Sequence, residues 1–160
     1  MNFSTAGGTG LSRYPLSFEN LQAFCERQAL RYKANTERGQ LAVLYRLLGR
    51  DAPLYIITRP ERSMVTLALP FPLRVPDERI PHIGEAVTRL NSAAYMGTWV
   101  LNVETREVYF RVTLPSLDAE YGDGSLLFAA RLVVSTVEAA GKGLEQVLQG
   151  RSATEVWPAV

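Results

Sequence analysis

LNSAAYMGTWVLNVETREVYFRVTLP, residues Leu90–Pro115, is the stretch whose reading decides the fold. After Gly97 the side chains alternate. Trp99, Leu101 and Val103 fall on one face of a strand spanning Thr98–Val103, and Val108, Phe110, Val112 and Leu114 on one face of a second spanning Glu107–Pro115. Only Glu104–Thr105–Arg106 separates them, a connection short enough to require an antiparallel hairpin. The stretch begins inside a helix predicted from about Asp77 to Tyr95, whose apolar stripe is Ile80, Ile83, Val87, Leu90 and Ala94. Asp77 and Glu78 favour its positive end, and Pro81 is tolerated in the first turn.

Toward the N-terminus, Pro72 and Pro76 break the chain ahead of that helix, because proline cannot donate to a sheet ladder. Before them lie three apolar runs of strand length: Leu41–Leu48, Leu54–Arg59 and Met64–Pro70. Turn-forming Gly49, Asp51, Pro53 and Pro60 separate them, predicting an antiparallel three-strand meander. Leu, Ala and Arg in the first run suit a helix as well, and periodicity does not separate the two at this length. Ala34–Gln40 reads as a polar loop. An opening helix is capped by Ser17 and carries Phe18, Leu21, Phe24, Cys25 and Tyr32 on its stripe. Downstream, a loop containing Gly122–Asp123–Gly124 leads into a helix from Ser125 to about Leu148, which Gly141 and Gly143 should weaken or bend. The expected organisation is a flexible N-terminal arm (1–16), one α+β domain (17–150) and a C-terminal tail (151–160).

The 160 residues are enough for one ordinary core, and 47% are hydrophobic against 21% charged. A formal charge of +1 supplies no global field for steering nucleic acid or anionic lipid. The N-terminal half is somewhat richer in arginine, which keeps a nucleic-acid surface as an alternative. The lone Cys25 forms no intrachain disulfide, and no stretch reads as a membrane-spanning helix. MNFSTAGGTGLSRYP lacks the basic start and apolar run of an export signal. A cytoplasmic protein with no membrane association is the expectation.

No catalytic constellation assembles from these residues. His82, the single histidine, removes every multi-histidine metal site. Cys25 lies on an apolar stripe with no adjacent base. Asp118, Glu120 and Asp123 lack the spacing and terminal bidentate glutamate of a calcium loop. Gly7–Gly10 and Gly141–Gly143 fit no phosphate-binding pattern. Neither cofactor nor metal is expected. Basic–aromatic neighbours recur at Arg13–Tyr14, Arg31–Lys33, Tyr45–Arg46 and Tyr109–Arg111, as alternation alone produces, so direct nucleic-acid binding is not expected.

The order helix, three strands, helix, two strands, helix is similar to the type III secretion chaperone-like fold. Leu90–Pro115, with a helix ending in Leu-Asn, a Gly and then a Val-aromatic-aromatic-Arg strand, resembles the YbjN family, as does Leu144–Val156. The resemblance implies a homodimeric, non-enzymatic regulator whose fold relatives bind extended segments of client proteins. The residues themselves point the same way. With Trp99, Leu101, Phe110 and Val112 on the helix-covered side of the sheet, apolar groups remain opposite, and a second apolar face needs a cover. Leu44, Leu48, Tyr55, Val100, Tyr109 and Arg111 are the candidate dimer or client surface. The alternatives are an accessory protein of a nucleic-acid complex, revealed by steeply salt-dependent binding, and a small enzyme, which requires His82 in a pocket beside a carboxylate.

Overall fold

A computed structural model describes residues 12–158. Its centre is a six-stranded antiparallel sheet of β1 (Tyr32–Asn35), β2 (Gln40–Val43), β3 (Leu54–Arg59), β4 (Met64–Pro70), β5 (Thr98–Asn102) and β6 (Glu107–Pro115), in spatial order β1-β2-β3-β4-β6-β5. The helices are α1 (Phe18–Arg27), α2 (Ile80–Ala93), α3 (Asp123–Leu148) and the short α4 (Ala153–Val156). One continuous core joins the helices to the sheet. Leu41, Ile56, Leu67, Leu69 and Phe110 from the strands meet Leu21 and Phe24 of α1, Ile83 of α2, and Leu126 and Leu144 of α3. Fully burying each such side chain contributes about 1.5–3 kcal/mol. Trp99 and Phe110, opposite each other on β5 and β6, pack at 5.3 Å with their rings tilted by 55°. The α+β class and the Leu90–Pro115 hairpin are as the alternation predicts.

The sheet has one strand more than expected. The predicted loop Ala34–Gln40 is instead a hairpin that pairs β1 with β2, turning at Gly39, and Tyr32 belongs to β1 rather than to the helical stripe. The helix stops early because Ala29 is left-handed (φ 51°) and the Leu30 amide donates back to the Cys25 carbonyl, a closure made without glycine. The run Leu41–Leu48 is not one strand. It leaves the sheet after Val43, and Leu48 (φ 52°) and Gly49 (φ 75°) form a tight turn that pairs Arg46–Leu47 with Arg50–Asp51.

The termini are also better anchored than composition suggests. Residues 1–11 lie outside the described residues, but Tyr14–Pro15 pairs with Glu120–Tyr121 and Leu16 is buried. At the other end Ser152 and Glu155 form a reciprocal capping box for α4, and Ala153 is buried. Arg89 of α2 also donates to the Trp157 carbonyl and the Thr154 hydroxyl, which docks this segment against α2. α3 runs unbroken through Gly141 and Gly143, because both glycines make room for neighbours: Leu48 over Gly141 and the Trp157 ring over Gly143. By length and composition α3 could cross a membrane, contrary to the expectation that no segment could. Its apolar residues Leu126, Val133, Val137, Leu144 and Val147 are spent on the core.

Candidate partner-binding face

Alternation that sends Ile56, Leu67, Phe110 and Val112 toward the helices sends their neighbours to the other side of the sheet. Tyr55 lies opposite Ala68, and Ala68 opposite Arg111. In the next row Ile57 lies opposite Thr66 and Thr66 opposite Thr113, their hydroxyls 3.2 Å apart. Arg59 pairs with Met64, and Tyr109 lies between Pro70 and Val100. The one-turn helix Pro60–Arg62, closed by left-handed Ser63, lifts Glu61 and Arg62 to the rim. These side chains, Val100 apart, line a concavity of about 580 Å³ on the helix-free face. Met64 is 41% exposed at one end. Arg59, Arg62 and Arg111 make no hydrogen bond or ion pair among the described residues, and Glu61 is the one carboxylate lining the concavity.

Of the residues singled out in the sequence, Tyr55, Val100, Tyr109 and Arg111 share this face. Leu44 and Leu48 do not. The chain departs from the sheet before them: the Leu44 amide donates to the Arg31 carbonyl, and Leu48 packs over Gly141 of α3. Ile57, Arg59, Met64 and Arg62 belong to the face and escaped notice. The first three follow from counting in steps of two along β3 and β4, whereas Arg62 is brought in by the turn.

A second concavity, of about 740 Å³, lies on the helical side between the end of α2, α3 and Trp157. Tyr95, Met96 and Phe128 are exposed there, and no charged residue lines it.

The remaining chemical candidates are dispersed. Cys25 is buried, and desolvation pushes its thiol up to about 11, away from the reactive thiolate. His82 is exposed in the first turn of α2 and lines neither concavity; Glu85, one turn on, is held by Arg89 at 3.0 Å and by the Thr154 hydroxyl. Asp123 parts company with Asp118 and Glu120. It accepts hydrogen bonds from Arg27, Gln28 and Tyr14, and the Arg27 guanidinium foremost holds its carboxyl down at about 2. Among the described residues no three His, Cys, Asp or Glu side chains gather as a metal site. Gly7–Gly10 lies outside the described residues.

No curated protein matches the sequence. The structure is similar to that of YbjN from E. coli, described as "a putative transcription regulator", with a TM-score of 0.64 at 7% identity over 83% of this chain and 96% of that one. It is also similar to a chain of the ExsC-ExsE complex, with a TM-score of 0.53 at 11% identity over 81% of this chain and 96% of that one. At such identities the likeness is one of fold, the type III secretion chaperone-like α+β fold expected from the element order. Residues 17–146 match the YbjN model, described as "Putative bacterial sensory transduction regulator", and the chain belongs to the YbjN family.

Proposed function

We propose that this protein is a non-enzymatic, chaperone-like regulator of the cytoplasm that acts as a homodimer and holds a client protein on the helix-free face of its sheet. The observation that carries this reading is the one-sided sheet. An antiparallel sheet with helices on one side ordinarily turns a polar surface to water; here Tyr55, Ile57, Met64, Val100 and Tyr109 occupy that surface around a concavity. A neighbour of the same fold solved as a two-protein complex, and a family described as regulators, support binding over chemistry.

The uncharged groove of Tyr95, Met96 and Phe128 is the seam for the second copy. Two-fold apposition there brings no like charges together, whereas on the sheet face Arg59, Arg62 and Arg111 would confront their own copies.

The test is affinity purification from the source cell with mass spectrometry, comparing the wild type with Tyr55→Ser/Tyr109→Ser, alongside light scattering. Proteins recovered by the wild type and lost from the variant, with a molar mass twice that of the chain, are expected. A strict monomer recovering no specific protein, or identical recoveries from both, would overturn the proposal.

A further inference from the structure

The sheet face carries more than apolar surface. Several arginines elsewhere are matched to carboxylates: Arg27 to Asp123, Arg46 to Asp51, Arg89 to Glu85, Arg106 to Asp77 and Arg151 to Glu155. Arg59, Arg62 and Arg111 stand without a partner around a single concavity that also offers Tyr55, Ile57 and Met64. With Glu61 its one carboxylate, the lining carries three cations against one anion.

We infer that the client held there, on the reading proposed above, presents an extended acidic segment in which carboxylates alternate with aliphatic side chains. Arg111 takes one carboxylate, and Arg59 with Arg62 takes another. The register sets their spacing. Arg111 lies opposite Ala68 and Arg59 opposite Met64, four residues apart on β4 and two strands apart across the sheet. At ~3.3 Å per residue and ~4.8 Å per strand, the two arginine backbones are separated by about 16 Å, the reach of about five extended residues. Between them Ile57, Ala68 and the Tyr55 ring receive the apolar side chains. Guanidinium forks suit carboxylates bidentately, which fixes orientation as well as sign.

A second copy is disfavoured on this face by the repulsion of its own arginines. A nucleic-acid strand would use the same cations, but Glu61 on the rim opposes its phosphates, and Tyr55 and Tyr109 are the only rings lining the concavity on which bases could stack.

The experiment is fluorescence anisotropy of the full-length protein with three fluorescein-labelled probes: a short peptide of alternating Glu and Val, its Lys/Val counterpart, and oligo(dT) of similar length. The Glu/Val peptide is expected to bind, and the Lys/Val peptide is not. Arg59→Ala/Arg111→Ala should weaken binding by about tenfold or more, the effect of losing about 1.4 kcal/mol. Both arginines are unpartnered, so thermal unfolding of the variant should match the wild type and exclude misfolding. No binding of the Glu/Val peptide, equal binding of the Lys/Val peptide, or indifference to the double substitution would overturn the inference. Tighter, arginine-dependent binding of oligo(dT) would overturn it in favour of nucleic acid. Cellular proteins lost from the Tyr55→Ser/Tyr109→Ser variant but kept by Arg59→Ala/Arg111→Ala would leave the client-binding reading standing and remove only its acidic specificity.

Discussion

Asp123 receives hydrogen bonds from Arg27 at 3.0 and 2.8 Å, from Gln28 at 2.9 Å, and from the Tyr14 hydroxyl, while Arg27 also lies 5.0 Å over the Tyr14 ring. One carboxylate thus ties the N-terminal ribbon, the end of α1 and the first turn of α3. Its folded pKa is depressed, from 3.8 to about 2, so its stabilisation is fully present above about pH 4 and lost as pH falls through about 2. Asp123→Asn should cost about 1–2 kcal/mol near neutral pH, the modest end for charged hydrogen bonds because Arg27 is half-exposed. Urea titrations at pH 6 and pH 2.5 check this, and a cost that does not shrink at the lower pH would contradict the assignment. Nothing in the spacing of Asp118, Glu120 and Asp123 reveals the role, because its partners lie about a hundred residues away. Asn91 is a contrasting case. Its place in the Leu-Asn motif is readable, but its work appears only in three dimensions: its side chain donates to the Trp99 carbonyl at 3.0 Å and accepts from the Trp99 amide at 2.7 Å, satisfying the open edge of β5.

At the scale of elements, α3 shows where propensity misleads. Two glycines near its C-terminal end argue for a break, yet each removes a side chain from a filled place. A Cβ on Gly143 would lie 2.3 Å from Trp157 Cζ2, so the ring would have to leave; one on Gly141 would lie 3.3 Å from Leu48 Cδ1, the end of a flexible side chain that can yield. Gly141→Ala should therefore gain helix propensity and change stability by less than about 1 kcal/mol. Gly143→Ala should lose about 1–3 kcal/mol to overpacking, with a red shift in tryptophan emission as Trp157 becomes exposed while Trp99 stays buried. Thermal unfolding followed by fluorescence reports both, and equal behaviour of the two variants would refute the packing argument. The strands divide in the same way. β3, β4, β5 and β6 are legible because alternation continues across each. β1 is short and polar, with three of its four residues exposed, and the break after Val43 depends on a left-handed Leu48 that no propensity favours.

Across the whole molecule, the sheet face and the groove of Tyr95, Met96 and Phe128 differ in charge, and on the proposed function that difference separates assembly from client binding. The sheet face was partly legible, because Tyr55, Val100, Tyr109 and Arg111 follow from alternation once the helix-covered side is fixed. The groove was not, since Tyr95 and Met96, Phe128 and Leu132 of α3, and Trp157 come from three separate parts of the chain. Phe128 is 60% exposed, so Phe128→Glu should leave the fold of a single copy intact while placing two like charges across the seam. The dimer dissociation constant is expected to rise about thirtyfold or more, the effect of removing an apolar anchor worth about 2 kcal/mol. Sedimentation equilibrium of the wild type and the variant measures this. With no charge in the groove, wild-type dimerisation should also hold steady as salt is raised, whereas binding of an acidic segment by the arginines should weaken. A dimer that dissociates with salt, or that survives Phe128→Glu but is lost on Arg111→Glu, would move the seam to the sheet face and leave the client without the surface assigned to it.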